Sequence, residues 1–138
     1  YKIIMKVING FDIDGVLNLG NGKCGIRPGP EDVIITGRSY EEEPETKAFL
    51  RRNGINNHVY FNPLTFDEKS RQSSGEHKAR TLKFLKNEEK IEVEFFYEDD
   101  EIQKAEIEKK CGWVKVIHVC HDFTPKENMR HWEELNEQ

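Results

Sequence analysis

The chain is short of the features that announce secretion, membrane insertion or charge-driven nucleic-acid binding. It has three cysteines in 138 residues, Cys24, Cys111 and Cys120, in no paired spacing. An odd, scattered set does not describe a disulfide framework, and a reduced, cytoplasmic chain is the simpler expectation. His118-Val119-Cys120-His121 lacks the second ligand pair that a structural zinc site needs, so it reads as a strand end. No apolar run approaches the roughly 20 residues of a membrane span, and no secretory signal is evident, so no membrane partner is expected. Lys and Arg number 21 against 26 Asp and Glu, a formal net charge of -5. Neither a basic excess nor an aromatic platform interleaved with basic residues points to nucleic acid, although a local basic groove stays compatible. There is no internal repeat and no linker. The length fits one domain over residues 1–138, expected to be a monomer.

What is present is organised around Phe11-Asp12-Ile13-Asp14-Gly15-Val16-Leu17. Ile3 to Phe11 is mainly apolar, and its second half reads as a buried central strand. In extended backbone, residues two apart share a face, so Asp12 and Asp14 would project the same way. Carboxylates that close repel each other unless a cation or a shared proton relieves them. Taken alone, the stretch also fits a polar Asp-Gly turn that closes a strand.

The rest of the chain alternates strands with helices. Asn18 to Asp32 carries Gly20, Gly22, Gly25, Gly29, Pro28 and Pro30, which argues for a loop or small hairpin flap rather than a helix. Lys23 and Arg27 in it would meet an anion or simply solvent. Val33-Ile34-Ile35 is a short strand ending in Thr36-Gly37-Arg38-Ser39. A hydroxyl and the backbone N–H groups after it suit an anion there. An ordinary strand-to-helix turn with Ser39 near the cap fits the same residues. Glu41 to Asn53 is an amphipathic helix with Gly54 at its stop, and Asn57 to Asn62 is a third strand. Pro63 to Gly75 is a polar excursion, either a substrate-facing loop or a connector.

Ala79, Leu82 and Leu85 predict a helix over Glu76 to Glu89, with Lys78 in its first turn. The helix dipole favours anions at that end, so Lys78 is out of place unless an anion lies opposite it or it is a plain surface lysine. Ile91 to Tyr97 is a fourth strand that runs into Glu98-Asp99-Asp100-Glu101, an acidic run that must be solvated or bound to a cation. Ile102 to Lys110 is a helix and Val114 to Cys120 a fifth strand. Asp122 onward opens a last helix, with Thr124 as N-cap, Pro125 at its first position and Met129, Trp132 and Leu135 inward. The fold class this implies is α/β, a three-layer α/β/α Rossmann-like parallel sheet of about five strands. Ligands in such sheets bind beyond the carboxyl ends of the strands, where Asp12/Asp14, Thr36/Gly37 and Asp99/Asp100 all fall.

These motifs, in this order, resemble the haloacid dehalogenase superfamily of phosphatases and phosphotransferases. The first motif is matched by Asp12-Ile13-Asp14-Gly15-Val16-Leu17, the second by Thr36 in Ile34-Ile35-Thr36-Gly37-Arg38, the third by Lys78 and the fourth by Glu98-Asp99-Asp100. Thr36-Gly37-Arg38, Glu98-Asp99-Asp100 and the later Gly112 and His121-Asp122-Phe123 are similar to the phosphatase domain of phage polynucleotide kinase-phosphatases. The chain departs from the superfamily in lacking an obvious helix between its first two strands, and neither insertion point has room for a cap domain. The resemblance implies an Mg²⁺-dependent phosphomonoester hydrolase working through an aspartyl-phosphate on Asp12. Asp14 would be the acid and base, Lys78 would offset negative charge, and Thr36, Gly37 and Arg38 would hold phosphate. The metal would be held by the Asp12 and Asp99 carboxylates and the Asp14 backbone carbonyl, with Asp100 as the alternate for Asp99. Capless members act on large or exposed phosphoesters, so a nucleic-acid or nucleotide phosphate is the expected substrate. A small phosphorylated metabolite, a phosphoprotein, a receiver-like domain and a non-catalytic phosphate-binding domain are the alternatives.

Overall fold

The computed structural model describes residues 4–121 apart from residue 22. Five strands form one parallel sheet: β1 (Lys6–Phe11), β2 (Val33–Ser39), β3 (Val59–Asn62), β4 (Ile91–Glu98) and β5 (Lys115–His118). Their order is β3-β2-β1-β4-β5. Three α-helices connect them, α1 (Glu43–Arg52), α2 (Arg71–Asn87) and α3 (Glu101–Lys110), with a single 3₁₀ turn at Tyr40–Glu42 ahead of α1. This is the Rossmann-like α/β arrangement expected from the alternation of elements. The helix expected from Asp122 onward lies outside the described residues.

Two apolar clusters lie on the two faces of the sheet. One joins Ile8, Val33, Ile35, Val93 and Phe96 of the strands to Ala79, Leu82 and Leu85 of α2 and Ile107 of α3. The other joins Phe11 and Ile34 to Phe49 and Leu50 of α1 and to Ile13, Val16 and Leu17 of the turn after β1. Neighbouring Ile34 and Ile35 enter opposite clusters, as the period of two in a strand requires. The turn after β1 therefore covers a face that a crossover helix would otherwise cover. Among the described residues, Asn18 to Asp32 contains no helix, as its glycines and prolines predicted. It folds as a small flap in which Asn18 bridges Cys24 antiparallel and Leu19 N–H donates to the Lys23 carbonyl.

The strand order places the ligand edge. From β1 the chain moves outward through β2 and β3, then returns to lay β4 on the other side of β1. The crevice between the carboxyl ends of β1 and β4 is the topological switch point, where open α/β sheets bind ligands. Register fixes what meets there. Phe11 lies opposite Tyr97 with their rings stacked at 4.7 Å, so Asp12 and Glu98 leave the sheet side by side. A bulge opposite Ile8 and Asn9 inserts an extra residue, Glu94, into β4. It lets Val93 and Phe96 both face α2, and Glu98, two residues beyond Phe96, faces α2 as well.

Two boundaries differ from expectation. β2 runs on to Ser39 because, past an irregularity after Ile35, Ser39 pairs with Asn62 of β3. Helix α2 begins at Arg71 rather than Glu76. Ser70 caps it by accepting from the Ser73 N–H, and Ser73 Oγ accepts from the Ser70 N–H in return. Lys78 thus sits in the third turn, and the argument from the helix dipole does not apply to it.

Candidate active site

Asp12 follows directly on β1, and its N–H donates to the Tyr97 carbonyl at 3.0 Å. Ile13 is fully buried among Phe11, Val16 and Leu17, which anchors the turn. The Ile13 carbonyl accepts from the N–H groups of Val16, Leu17 and Asn18. Gly15 has φ +85, a conformation that costs a side-chain-bearing residue energy.

Lys78 is the centre of the constellation. It has no solvent exposure, and its Nζ donates to Asp12 Oδ1 at 2.9 Å and to Glu98 Oε2 at 2.5 Å. Asp12 and Glu98 are themselves 2% exposed or less. An ammonium this buried stays charged only with carboxylates against it, and each carboxylate depends on it in turn. The anion expected opposite Lys78 is thus supplied by the chain.

Asp12, Glu98 and Asp99 bring one carboxylate oxygen each to within 4.8 Å of one another. The Lys78 ammonium faces two of these carboxylates, Asp12 and Glu98, and His121 meets the third, Asp99. The donors are all hard oxygens, a set suited to Mg²⁺. The residues present therefore fit the metal that the sequence led us to expect. Of Asp99 and its alternate Asp100, Asp99 is the one in this group, together with Glu98. Asp100 turns the other way: it caps α3 by accepting from the Ile102 N–H and meets Arg71 through both oxygens at 2.9 and 2.8 Å, with Gln103 on Oδ2. Its carboxylate is spent on joining α2 to α3.

Asp14 lies apart from that acidic group. Its carboxylate meets Arg38 in a bidentate fork, Nε to Oδ2 at 2.9 Å and Nη2 to Oδ1 at 2.6 Å. Arg38 is 1% exposed, and its Nη1 donates to Thr46 Oγ1 at 2.9 Å. Arg38, expected to hold phosphate, is engaged here in an internal salt bridge with Asp14. Thr36 is fully buried and its Oγ1 accepts from the Arg38 N–H at 3.0 Å. The Gly37 carbonyl accepts from Lys69 Nζ at 3.0 Å. A Cβ at Gly37 would stand 2.8 Å from Ser74 Oγ, so glycine is what lets β2 approach α2. Thr36, Gly37 and Arg38 thus lie along the irregular stretch of β2 rather than in a free loop.

Two participants went unassigned in the sequence. Glu98 was read only as part of an acidic run; its parity with Phe96 was the signal that it points inward. His121 was read as part of a strand end, yet its Nε2 stands 2.7 Å from Asp99 Oδ2. His77, next to Lys78, packs within 3.5 Å of the Tyr60 carbonyl, and burial pushes its pKa down from 6.5 to about 4.

No protein-family model matches the chain, and none of the curated proteins does. Solved structures do. A chain in each of two structures of the Pnkp1/Rnl/Hen1 RNA repair complex is similar over 86% of this chain, with a TM-score of 0.60 and 18% identity. This chain covers 44% and 48% of the length of those two chains, less than half of either. At that identity the likeness establishes the fold. Among the described residues, no helix is long and apolar enough to cross a membrane.

Proposed function

We propose that this chain is a capless phosphatase of the haloacid dehalogenase type, an Mg²⁺-dependent phosphomonoester hydrolase acting through Asp12. The observation that carries the reading is Asp12 at the switch point, with buried Lys78 on one of its oxygens and Glu98 and Asp99 within 4.8 Å. Carboxylates grouped at the ligand edge and held by an internal lysine are costly to build and serve no packing purpose.

A phosphate monoester is dianionic and repels a carboxylate nucleophile. Mg²⁺ held by Asp12, Asp99 and Glu98 would neutralise that repulsion and orient the phosphoryl group. An Asp12 oxygen attacks phosphorus as the bond to the leaving oxygen breaks, giving an aspartyl-phosphate. Lys78 stabilises the charge that develops on the oxygens near Asp12. Asp14 supplies a proton to the leaving oxygen and then takes one from the attacking water, whose oxygen ends on the released phosphate. Asp14 meets Arg38 through both oxygens, so a proton on either takes the place of one Arg38 contact. The Arg38 N–H freed in that way suits a phosphoryl oxygen, while Thr46 keeps hold of the guanidinium.

The substrate class we propose is a nucleic-acid or nucleotide phosphate. Two features support it. Among the described residues, neither the flap after β1 nor the residue 63–70 segment after β3 holds a cap domain, which suits a large ester. The similar solved structures come from an RNA repair complex. A panel of phosphoesters, including 3′-phosphorylated oligonucleotides, nucleotides and a phosphopeptide, tests this with and without Mg²⁺. We expect Mg²⁺-dependent phosphate release, greatest on the oligonucleotides. Phosphate binding with no release from any ester would make the chain a binding domain instead.

A further inference from the structure

The end of β5 is built around Asp99 in a way that the proposed reaction does not use. β5 pairs with β4 so that His118 lies opposite Glu98, and the Val119 N–H donates to the Glu98 carbonyl at 2.9 Å. At the last residue of the strand and three residues past it, two histidines reach back to the same residue. His118 Nε2 lies 3.0 Å from the Asp99 carbonyl, and His121 Nε2 lies 2.7 Å from Asp99 Oδ2. One histidine thus holds the backbone of Asp99 and the other its carboxylate. A carboxylate oxygen only accepts, so His121 Nε2 carries the proton in this contact.

The third wall of this enclosure is backbone. A Cβ on Gly15 would stand 2.1 Å from Asp99 Oδ2 and 2.7 Å from His121 Nε2. Asp99 and His121 therefore fill the space that glycine leaves in the motif containing Asp12 and Asp14. The side chains are 3% and 15% exposed, so the contact is sheltered and His121 has one orientation imposed on it.

We infer that His121 is a positioning residue for the metal carboxylate Asp99: its Nε2–H fixes the Asp99 side chain beside Asp12 and Glu98, and so raises the affinity of the site for a divalent cation. The inference rests on the proposed reading of Asp12, Glu98 and Asp99 as metal ligands. An unconstrained aspartate would lose rotamer freedom when it binds a cation. One already held by a hydrogen bond has lost that freedom beforehand, and outer partners of this kind are worth roughly 10–100-fold in metal affinity.

The test is calorimetric titration of the full chain with Mg²⁺ alone, without substrate, on wild type, His121→Ala and His121→Gln. The Gln amide N–H can occupy the place of Nε2–H. We expect the wild type to bind, His121→Ala to bind about 10–100-fold more weakly, and His121→Gln to recover most of the loss. Each metal-free variant is expected to show a cooperative thermal transition, so that the titrations compare folded proteins. Should His121→Ala not fold, His121→Asn, too short to reach Asp99, takes its place. Unchanged Mg²⁺ affinity in the deletion variant, or no recovery in His121→Gln, overturns the inference while the reading of the site stands. A wild type that binds no Mg²⁺ overturns both.

Discussion

His77 makes the stability of this protein depend on pH in a predictable window. The ring is 5% exposed, on the face of α2 turned to β2 and β3. Burial is the largest cause of its lowered pKa, the Lys78 and Arg80 charges add to it, and contact with the Tyr60 carbonyl opposes it. The folded value is about 4 against 6.5 for an unperturbed histidine. Between those values the unfolded chain binds a proton that the folded one refuses. The contribution is therefore complete above pH 6.5 and is lost as pH falls toward about 4. At ~1.4 kcal/mol per tenfold change, the full window is worth about 3 kcal/mol, a substantial share of the roughly 5–15 kcal/mol that stabilises a domain. Urea unfolding of wild type and His77→Gln, followed from pH 7.5 to pH 4, isolates the effect, because the other titrating groups are common to both. The wild type should lose about 3 kcal/mol more than the variant over that range. Parallel stability curves would refute the claim that His77 is buried and neutral.

Three further outcomes follow from the geometry. Gly15→Ala should cost about 1–3 kcal/mol from its positive φ and weaken Mg²⁺ binding by displacing Asp99, seen as a lower urea midpoint and a weaker calorimetric titration. Lys78→Met keeps the length but removes the ammonium that Asp12 and Glu98 share. It should lose about 3–5 kcal/mol, part of it restored by added Mg²⁺, as read by denaturation with and without the metal. Burial pushes the Cys111 thiol up to about 11, so a disulfide reagent at pH 8 should label exposed Cys120 and leave Cys111 until the chain unfolds, as mass mapping would display.

The parts of this molecule that were legible in the sequence are those governed by local pattern. The alternation of apolar runs gave five strands, and Asp12-Ile13-Asp14-Gly15 marked the ligand edge because an acid pair beside a glycine has few packing uses. The breakers between Asn18 and Asp32 correctly ruled out a helix there. What was not legible depends on distance in sequence. Lys78 meets Asp12 from 66 residues away, and no local spacing encodes that contact. The start of α2 was missed because Arg71-Gln72-Ser73-Ser74 has no apolar residue to display a period, and its signal is the reciprocal Ser70–Ser73 cap instead. Four consecutive acids hid the division of labour among them. Glu98 faces α2, Asp99 joins the acidic group, and Asp100 caps α3, a partition set by the bulge in β4 and by the helix that begins at Glu101. His121 was set aside as part of an incomplete zinc pattern. Its partner is a carboxylate just past the end of β4, 22 residues away.

The central claim is that the Asp12 carboxylate is the nucleophile. The most direct measurement is to quench the protein in acid during turnover of a phosphoester with Mg²⁺, reduce it with borohydride and sequence the peptide containing residue 12. Reduction of an acyl phosphate converts aspartate to homoserine. The account predicts homoserine at position 12 in the wild type, none without substrate, and neither homoserine nor phosphate release in Asp12→Asn. Sustained Mg²⁺-dependent release by Asp12→Asn, or trapping at a different carboxylate, would contradict it.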